Sequence, residues 1–515
     1  MTEKQDRAVR VVVTLASAAA LSLISTPVEW WWFHFVVYLP MLWVLRAETP
    51  RANFWYGWLY GAFEMALIFR WLVGTITIFA GTPMPTLLGI VALLAFSVAF
   101  GFPAAVVWAS VHPLRTRLGS GWILAHGALV ILVDWLSSFL LLFPYQHGVT
   151  MYRTHALWQV VAVTGIWGPT FLMYFFNDAF GEAIYRRREN RPMAPAWPIA
   201  AVVTVVVVWL AGLWRYESVE ARLATSPTLR IAQLQSSHGM EWRMQVATRE
   251  EAFAEWMDMT RRIPPGSVDL VIWPEGACPY DLNVANSKAG KIIGDLARQG
   301  GFAMIIGAGA REREVGPDGK SRTKNFNTAY FVDADGKVAG RYDKMVPLPF
   351  GEYLPLGDYM PWLADMIPGI GDFEAGTVPT VFNTGTVKLA VPICYEAILG
   401  RVCRRYPDPD LIVNITNDAW FLDTAAPHQH AMLAAERAEE LGIPLYRSAY
   451  TGVSMAVEPH GVIHSETAAF EDVARIVTLR MAKTPTLYAK LGDWFVALCG
   501  AGLAAALIAA RRRAL

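Results

Sequence analysis

The sequence predicts an α-helical membrane bundle joined to a mixed α/β domain. Three observations lead there. Apolar residues make up 54% of the 515-residue chain and charged ones only 17%, with 21 tryptophans and a mean hydropathy of +0.32, values above the soluble norm. Seven apolar stretches of membrane-spanning length fill the first 215 residues, and an eighth lies near 491–510. Between them, residues 216–490 alternate strand-like with helix-like runs, the pattern of an α/β domain with a two-layer core.

The seven stretches fall at roughly 9–27, 29–46, 53–80, 84–111, 120–143, 157–185 and 195–215. The first follows Lys4, Arg7 and Arg10 but is no signal peptide, because the next apolar stretch follows almost at once. Further basic residues cluster at Arg46 and Arg51, Arg115 and Arg117, Arg186 to Arg188 with Arg191, and Arg511 to Arg513. If all eight stretches cross, every cluster falls on one side, and Arg153 is the lone basic residue in the opposite connections. The positive-inside rule then makes both termini cytoplasmic and places 216–490 outside. Lys+Arg and Asp+Glu are both 44, so the basic excess of a nucleic-acid binder is lacking.

The outer segment reads as follows. "TLRIAQLQ" (228–235), "VDLVIW" (268–273) and "FAMIIGAG" (302–309) are strands, separated by helical patterns at about 246–262 and 287–300. Residues 328–344 form a hairpin turning at Asp335-Gly336. "VKLAVPIC" (387–394) and "DLIVNIT" (410–416) are buried strands, 430–442 is a helix ended by Gly442, and "VSMAVEPHGVIH" (453–464) is a second hairpin.

Three of these elements end in reactive groups: Glu275 after "VIWP", Lys344 after "GRYD" and Cys394 after "AVPI". The four cysteines, Cys278, Cys394, Cys403 and Cys499, form no CxxC pair, which disfavours zinc ribbons and thioredoxin-like sites. A carboxylate can take a thiol proton, and a lysine can stabilise the oxyanion formed when the thiolate adds to a carbonyl. Taken singly, a cysteine on an apolar strand is more often a small buried side chain, and a Glu or Lys at a strand end is more often solvated surface.

The surrounding text decides between these readings. "WPEGACP" (273–279), "RYDKMVPLPFGEYLP" (341–355), "VPICYE" (391–396) and "NDAWFLDTAAPHQH" (417–430) occur in that order. They resemble the nitrilase superfamily and, more closely, the bacterial apolipoprotein N-acyltransferases, over nearly the whole chain. The resemblance implies eight transmembrane helices plus a nitrilase-like α-β-β-α sandwich. It divides the chain into a transmembrane domain at 1–215, a periplasmic catalytic domain at 216–488, and a last helix with a basic tail at 489–515. It assigns Glu275 as general base, Lys344 as oxyanion stabiliser and Cys394 as nucleophile, supported by Glu352, Tyr395 and Glu396. It implies a phospholipid acyl donor, a diacylglyceryl-modified apolipoprotein as acceptor, contact with membrane lipid and a monomeric enzyme of the bacterial inner membrane. No metal or nucleotide cofactor is expected, because thioester transfer to an amine is downhill. A membrane-tethered amidase using water and a non-enzymatic lipoprotein-binding scaffold are the alternatives; the intact triad disfavours the second.

Four positions depart from the family pattern: Val346 where histidine is common, Gly357 for arginine, Leu422 for glycine and Tyr450 for asparagine. Residues 345–370 are rich in aromatics with few charges and read either as a loop on the domain core or as a lid that admits lipid chains, with Phe350, Trp362 and Trp420 as lid residues. "GPDGKS" (316–321) lacks the first glycine of a phosphate loop, "TGVSM" lacks the last glycine of a serine elbow, and His428 with His430 has no third metal ligand. Glu64, Arg70 and Asp134 are costly charges inside apolar stretches and candidates for a functional cavity.

Overall fold

The computed structural model describes the chain except residues 1, 26–29, 46–48, 81–82, 141–142, 193–194, 239–247, 284–286, 316–320, 356–358, 360–370 and 515. It divides into two compact units. One comprises 1–73, 86–217 and 486–515, the other 74–85 and 218–485.

The first unit is helical. Four helical runs among the described residues are long and apolar enough to cross a membrane, or up to six if two bent pairs each count as one span. Helix Glu3–Ile24 opens with a capping box in which Thr2 and Gln5 satisfy each other's backbone. The run Pro85–Leu140 counts as one of the four, although it breaks at Gly101 and again at Gly119–Gly121. The stretch expected at 53–80 is broken after Ile68: helix Pro50–Ile68 belongs to this unit, and most of helix Leu72–Phe79 is grouped with the second. That expected at 157–185 is two single turns followed by Trp167–Arg188, with a bend of 116°. The stretch expected at 29–46 differs most. A 3₁₀ turn at Trp31–Phe35 and a helix at Leu39–Val44 replace a continuous span, and a six-residue helix is about 9 Å long against a ~30 Å hydrocarbon core. Hydropathy alone registers neither the Pro40 start nor the 3₁₀ geometry.

Close helix packing here uses missing side chains. Gly57 and Gly61 sit one turn apart on helix Pro50–Ile68, and a Cβ on them would lie 2.7 Å from Trp108 Cβ and 2.6 Å from Ala104 Cβ. This is small-xxx-small packing. Gly61→Leu is expected to destabilise the unit by about 1–3 kcal/mol or more, read as a lower melting temperature in detergent.

The second unit is an α/β sandwich of two six-stranded sheets. The first sheet contains β1 (Thr228–Gln235), β2 (Leu270–Cys278), β3 (Ala303–Val315), β4 (Ser321–Val332), β5 (Val338–Asp343) and β12 (Val473–Arg480), in the order β12-β1-β2-β3-β4-β5. The second contains β6 (Val381–Asn383), β7 (Lys388–Ala390), β8 (Leu411–Thr416), β9 (Leu445–Ala449), β10 (Met455–Val457) and β11 (Ile463–His464), in the order β11-β10-β9-β8-β7-β6. β1, β2 and β3 run parallel, as do β7, β8 and β9. Such strands are covered on both faces and read as continuous apolar runs.

Helices Arg249–Arg261 and Lys288–Gly300 cover the first sheet, and helix Ala426–Leu441 packs on β9, giving α-β-β-α layers. Each helix end has a local cause. Thr248 and Glu251 form a capping box, Ser287 caps the second helix, and Gly301 and Gly442 end theirs at φ +68° and +65°. Helix Ala426–Leu441 starts four residues earlier than the sequence suggests, with Pro427 in its first turn. Strands β6, β9 and β12 were not legible: β6 is too short to show a pattern, and "LYRSA" carries a charge into the interior.

Candidate active site

The triad candidates converge from three strand ends within the α/β unit. Cys394 follows extended Ile393 and opens a 3₁₀ turn, Cys394–Ile398, with φ of +52°. A non-glycine residue held there costs about 1–3 kcal/mol, so the surroundings must impose it. They do so at four points. Ile393 forms a β-bridge to Ile415. The Asn414 amide donates to the carbonyls of Pro392 (3.0 Å) and Cys394 (3.4 Å). Arg447 Nη1 donates to Asn414 Oδ1 at 2.5 Å. The Ile393 N–H donates to Glu396 Oε2 at 2.8 Å.

Glu396, wholly buried, ties the Cys394 turn to the Lys344 segment. Its Oε1 accepts from the N–H groups of Met345 (2.7 Å) and Val346 (3.0 Å), and the Tyr342 hydroxyl lies 2.9 Å from both carboxylate oxygens. Burial outweighs these donors and the Lys344 charge and leaves its carboxyl raised to about 7. Donors surround both oxygens, which suits an ionised carboxylate. At Val346 it is the backbone N–H that serves, so a side chain other than histidine leaves this bond intact.

Lys344 is 1% exposed. Its Nζ lies 2.6 Å from Glu352 Oε2 and 3.5 Å from Glu275 Oε1. Burial alone lowers an ammonium pKa, but Glu352, Glu275 and Cys394 raise that of Lys344 above the usual lysine range, so the group stays a cation. Glu352 is held in turn by the Leu348 N–H at 2.6 Å. Glu275 receives the Asn417 N–H at Oε2 (2.8 Å) and the Asn327 amide at Oε1 (2.6 Å). Both Glu275 and Lys344 act electrostatically on the Cys394 thiol. Burial, and then the charge of Glu275, push that thiol up; Lys344 and a Thr416 hydrogen bond lower it by less. The balance favours the neutral thiol of Cys394, so any reaction at this sulfur would call for a base.

Asn327 was not legible in the sequence. One amide nitrogen bridges two carboxylates, Glu275 at 2.6 Å and Glu352 at 2.5 Å. It sits on β4, opposite Gly309 of β3, where nothing local marks it. Asn327→Ala is expected to slow single-turnover acylation by at least about 10-fold, because hydrogen bonds to two carboxylates are lost at about 1.5 kcal/mol or more each. Asn327→Asp should be slower still, because it sets a third carboxylate against two.

A second network stands behind Cys394. Asp418 is fully buried and accepts from Arg447 Nη2 (2.6 Å) and pairs with His430 Nδ1 (2.9 Å). Burial pushes its carboxyl up, but Arg447 and His430 outweigh that and hold it down at about 2. His430 is thereby engaged with a carboxylate. Tyr395 is buried, and burial pushes its hydroxyl up to about 12.

The lid candidates divide. Phe350 is 43% exposed and holds a φ of +63° in the turn preceding Glu352. Trp420 is half-buried on the 3₁₀ turn Asp418–Phe421. Trp362 and Gly357 lie outside the described residues. Leu422 has φ +56° and ψ −168°, a region close to glycine-only, which suits the glycine that the family resemblance leads one to expect there. Tyr450 is 1% exposed, packs edge-on to Trp256 at 5.3 Å and reaches Glu255 with its hydroxyl at 3.4 Å. It has become part of the core between sheet and helix.

Residues 228–486 match the carbon-nitrogen hydrolase family, and residues 17–179 match the apolipoprotein N-acyltransferase N-terminal domain. An apolipoprotein N-acyltransferase of Bradyrhizobium diazoefficiens is 30% identical over 98% of this chain and 95% of that protein. One from Geobacter metallireducens is 29% identical over 95% and 92%. Among solved structures, an amidase from Nesterenkonia sp. aligns with 52% of this chain and 95% of its own at 18% identity and a TM-score of 0.37. The match over residues 228–486 makes the sandwich that of a carbon-nitrogen hydrolase, here carried by a chain with a helical unit of apolar spans. The chain belongs to the apolipoprotein N-acyltransferase family and is an acyltransferase of the membrane.

Proposed function

We propose that the chain transfers an acyl group from a phospholipid to the α-amine of the lipid-bearing N-terminal cysteine of an apolipoprotein, through a thioester on Cys394. The observation that carries this reading is the convergence of Glu275, Lys344 and Cys394 behind a strained strand-to-turn junction in a chain of this family.

Glu275 takes the Cys394 proton as sulfur attacks the ester carbonyl. The Lys344 ammonium faces the negative charge that develops on the carbonyl oxygen. The C–O bond breaks, and the departing lysophospholipid alkoxide takes the proton from Glu275. The acceptor amine then attacks the thioester, Glu275 accepts its proton, and the sulfur leaves to regain it as the thiol. Every step uses groups of this chain.

The positive-inside pattern supports eight crossings, cytoplasmic termini and a periplasmic catalytic unit in the bacterial inner membrane. Phe350, Trp362 and Trp420 fit a lid that shields the acyl-enzyme from water. Trp362→Glu is expected to raise the KM for long-chain donors about 10-fold at unchanged protein yield; unchanged kinetics would remove the lid from the account. The reaction itself is tested by incubating the purified chain with phospholipid and a synthetic diacylglyceryl-cysteine peptide. Equal amounts of lysophospholipid and N-acylated peptide are expected. Free fatty acid without N-acylation would point to water as acceptor and overturn the transferase reading for this acceptor.

A further inference from the structure

The helical unit contains a cavity of about 60 Å³, room for about two waters, that the acyl-transfer chemistry does not use. Two of the three intramembrane charges singled out in the sequence meet there. Glu64 comes from helix Pro50–Ile68 and Asp134 from helix Trp122–Leu140, joined by His147 from the 3₁₀ turn His147–Met151. Arg70 is exposed and turns its guanidinium to the Leu67 carbonyl instead.

Glu64 is 1% exposed and is satisfied by His147 Nε2 at 2.5 Å. Asp134 is left over. Its Oδ2 is out of solvent and has no hydrogen-bond partner among the described residues, and the same holds for His147 Nδ1. A buried carboxylate oxygen without a donor costs free energy that a ligand can recover. Two carboxylates against one imidazole exclude an anion. A metal ion would take several more oxygen ligands than Asp134 supplies. Ser137, Ser138 and Gln146 share the remaining wall with aromatic rings: Trp108 lies with Tyr174 and Tyr60 on one side (ring centroids 6.0 and 5.8 Å apart) and Tyr145 lines another. A carboxylate beside aromatic faces is the chemistry that recognises an alkylammonium.

We infer that this cavity binds the primary ammonium group of a lipid substrate, with Asp134 Oδ2 as its acceptor. The inference rests on the acyl-transfer reading for the lipid nature of the substrates. That ammonium has two sources: the headgroup of an aminophospholipid donor, or the α-amine of the lipidated acceptor.

The test measures binding to the full chain in detergent, by native mass spectrometry, of short-chain phosphatidylethanolamine against phosphatidylglycerol. A parallel arm compares a diacylglyceryl-cysteine peptide with its N-acetylated form. At least 10-fold tighter binding of the amine-bearing member of one pair, lost in Asp134→Asn, is expected; the pair that responds names the source. Ser137→Leu fills the cavity without altering a charge and should remove the same preference, which guards against misfolding of the first variant. Equal binding within both pairs, or a preference that survives both variants, overturns the inference and leaves the cavity to water. Acyl adduct formation on the wild-type chain is followed in the same samples. Loss of the adduct with the amine preference intact would fault the thioester reading instead.

Discussion

Glu275→Gln is expected to slow acylation of the enzyme by about 10³-fold, within the 10²–10⁴ range of general-base catalysis. The reason lies in the state of the nucleophile. Burial and the negative charge of Glu275 raise the Cys394 thiol above the ordinary cysteine range and so disfavour the thiolate. In the proposed mechanism the wild type moves the proton to Glu275 during attack. The amide of glutamine cannot accept it, and it also turns an NH2 toward the Asn327 amide or the Asn417 N–H, both donors to Glu275. The pH dependence carries the sign. In the variant the thiol must ionise unaided, so residual activity should climb roughly tenfold per pH unit through the neutral and mildly alkaline range, where the thiol remains largely protonated. Burst-phase release of lysophospholipid against pH checks it. A variant with a flat profile and near-wild-type rate would show that Glu275 is not the base.

Glu396→Ala is expected to cost about 3 kcal/mol or more of stability, the range for removing one partner of a buried charged network. Three backbone N–H groups, those of Ile393, Met345 and Val346, would lose their acceptor together with the Tyr342 hydroxyl. The loss falls on the two segments that carry Lys344 and Cys394. Cys394 keeps its unfavourable φ only while its neighbours are held, so activity should fall by at least about 100-fold even where the protein still folds. Glu396→Gln should rescue little, because its NH2 would face N–H donors on one side. Melting temperature in detergent and single-turnover acylation, measured on both variants, separate the two effects. A fully active, fully stable Glu396→Gln would show that the carboxylate is not needed as an acceptor of donors on both oxygens.

How much of this was legible in the sequence follows from how local each signal is. Glu275, Lys344 and Cys394 each close an apolar strand or hairpin, so their segments stand out, and their order along the chain carries the family resemblance. Gly336 and Gly442 announce a turn and a helix end through backbone conformations that favour glycine. Asn327, Asn414 and Arg447 announce nothing. Each lies on a strand, and each acts on a residue brought to it only by the sheets, as Asn327 acts on Glu275 from 52 positions away. A buried arginine on β9 even argued locally against a strand. In the helical unit, hydropathy located apolar mass but not its breaks. The short helix Leu39–Val44 and the 116° bend before Trp167 depend on where the backbone turns, which composition does not encode. Leu422 shows the converse: the departure from glycine was visible as text, and the strained backbone gives it a physical meaning.

The measurement that bears most directly on the account is intact-protein and peptide mass spectrometry of the purified chain incubated with a phospholipid and no acceptor. A mass increase equal to one acyl chain is expected, mapped to the peptide containing Cys394, reversed by hydroxylamine and absent in Cys394→Ser. An adduct on another residue, or undiminished N-acylation of the acceptor peptide by Cys394→Ser, would contradict it.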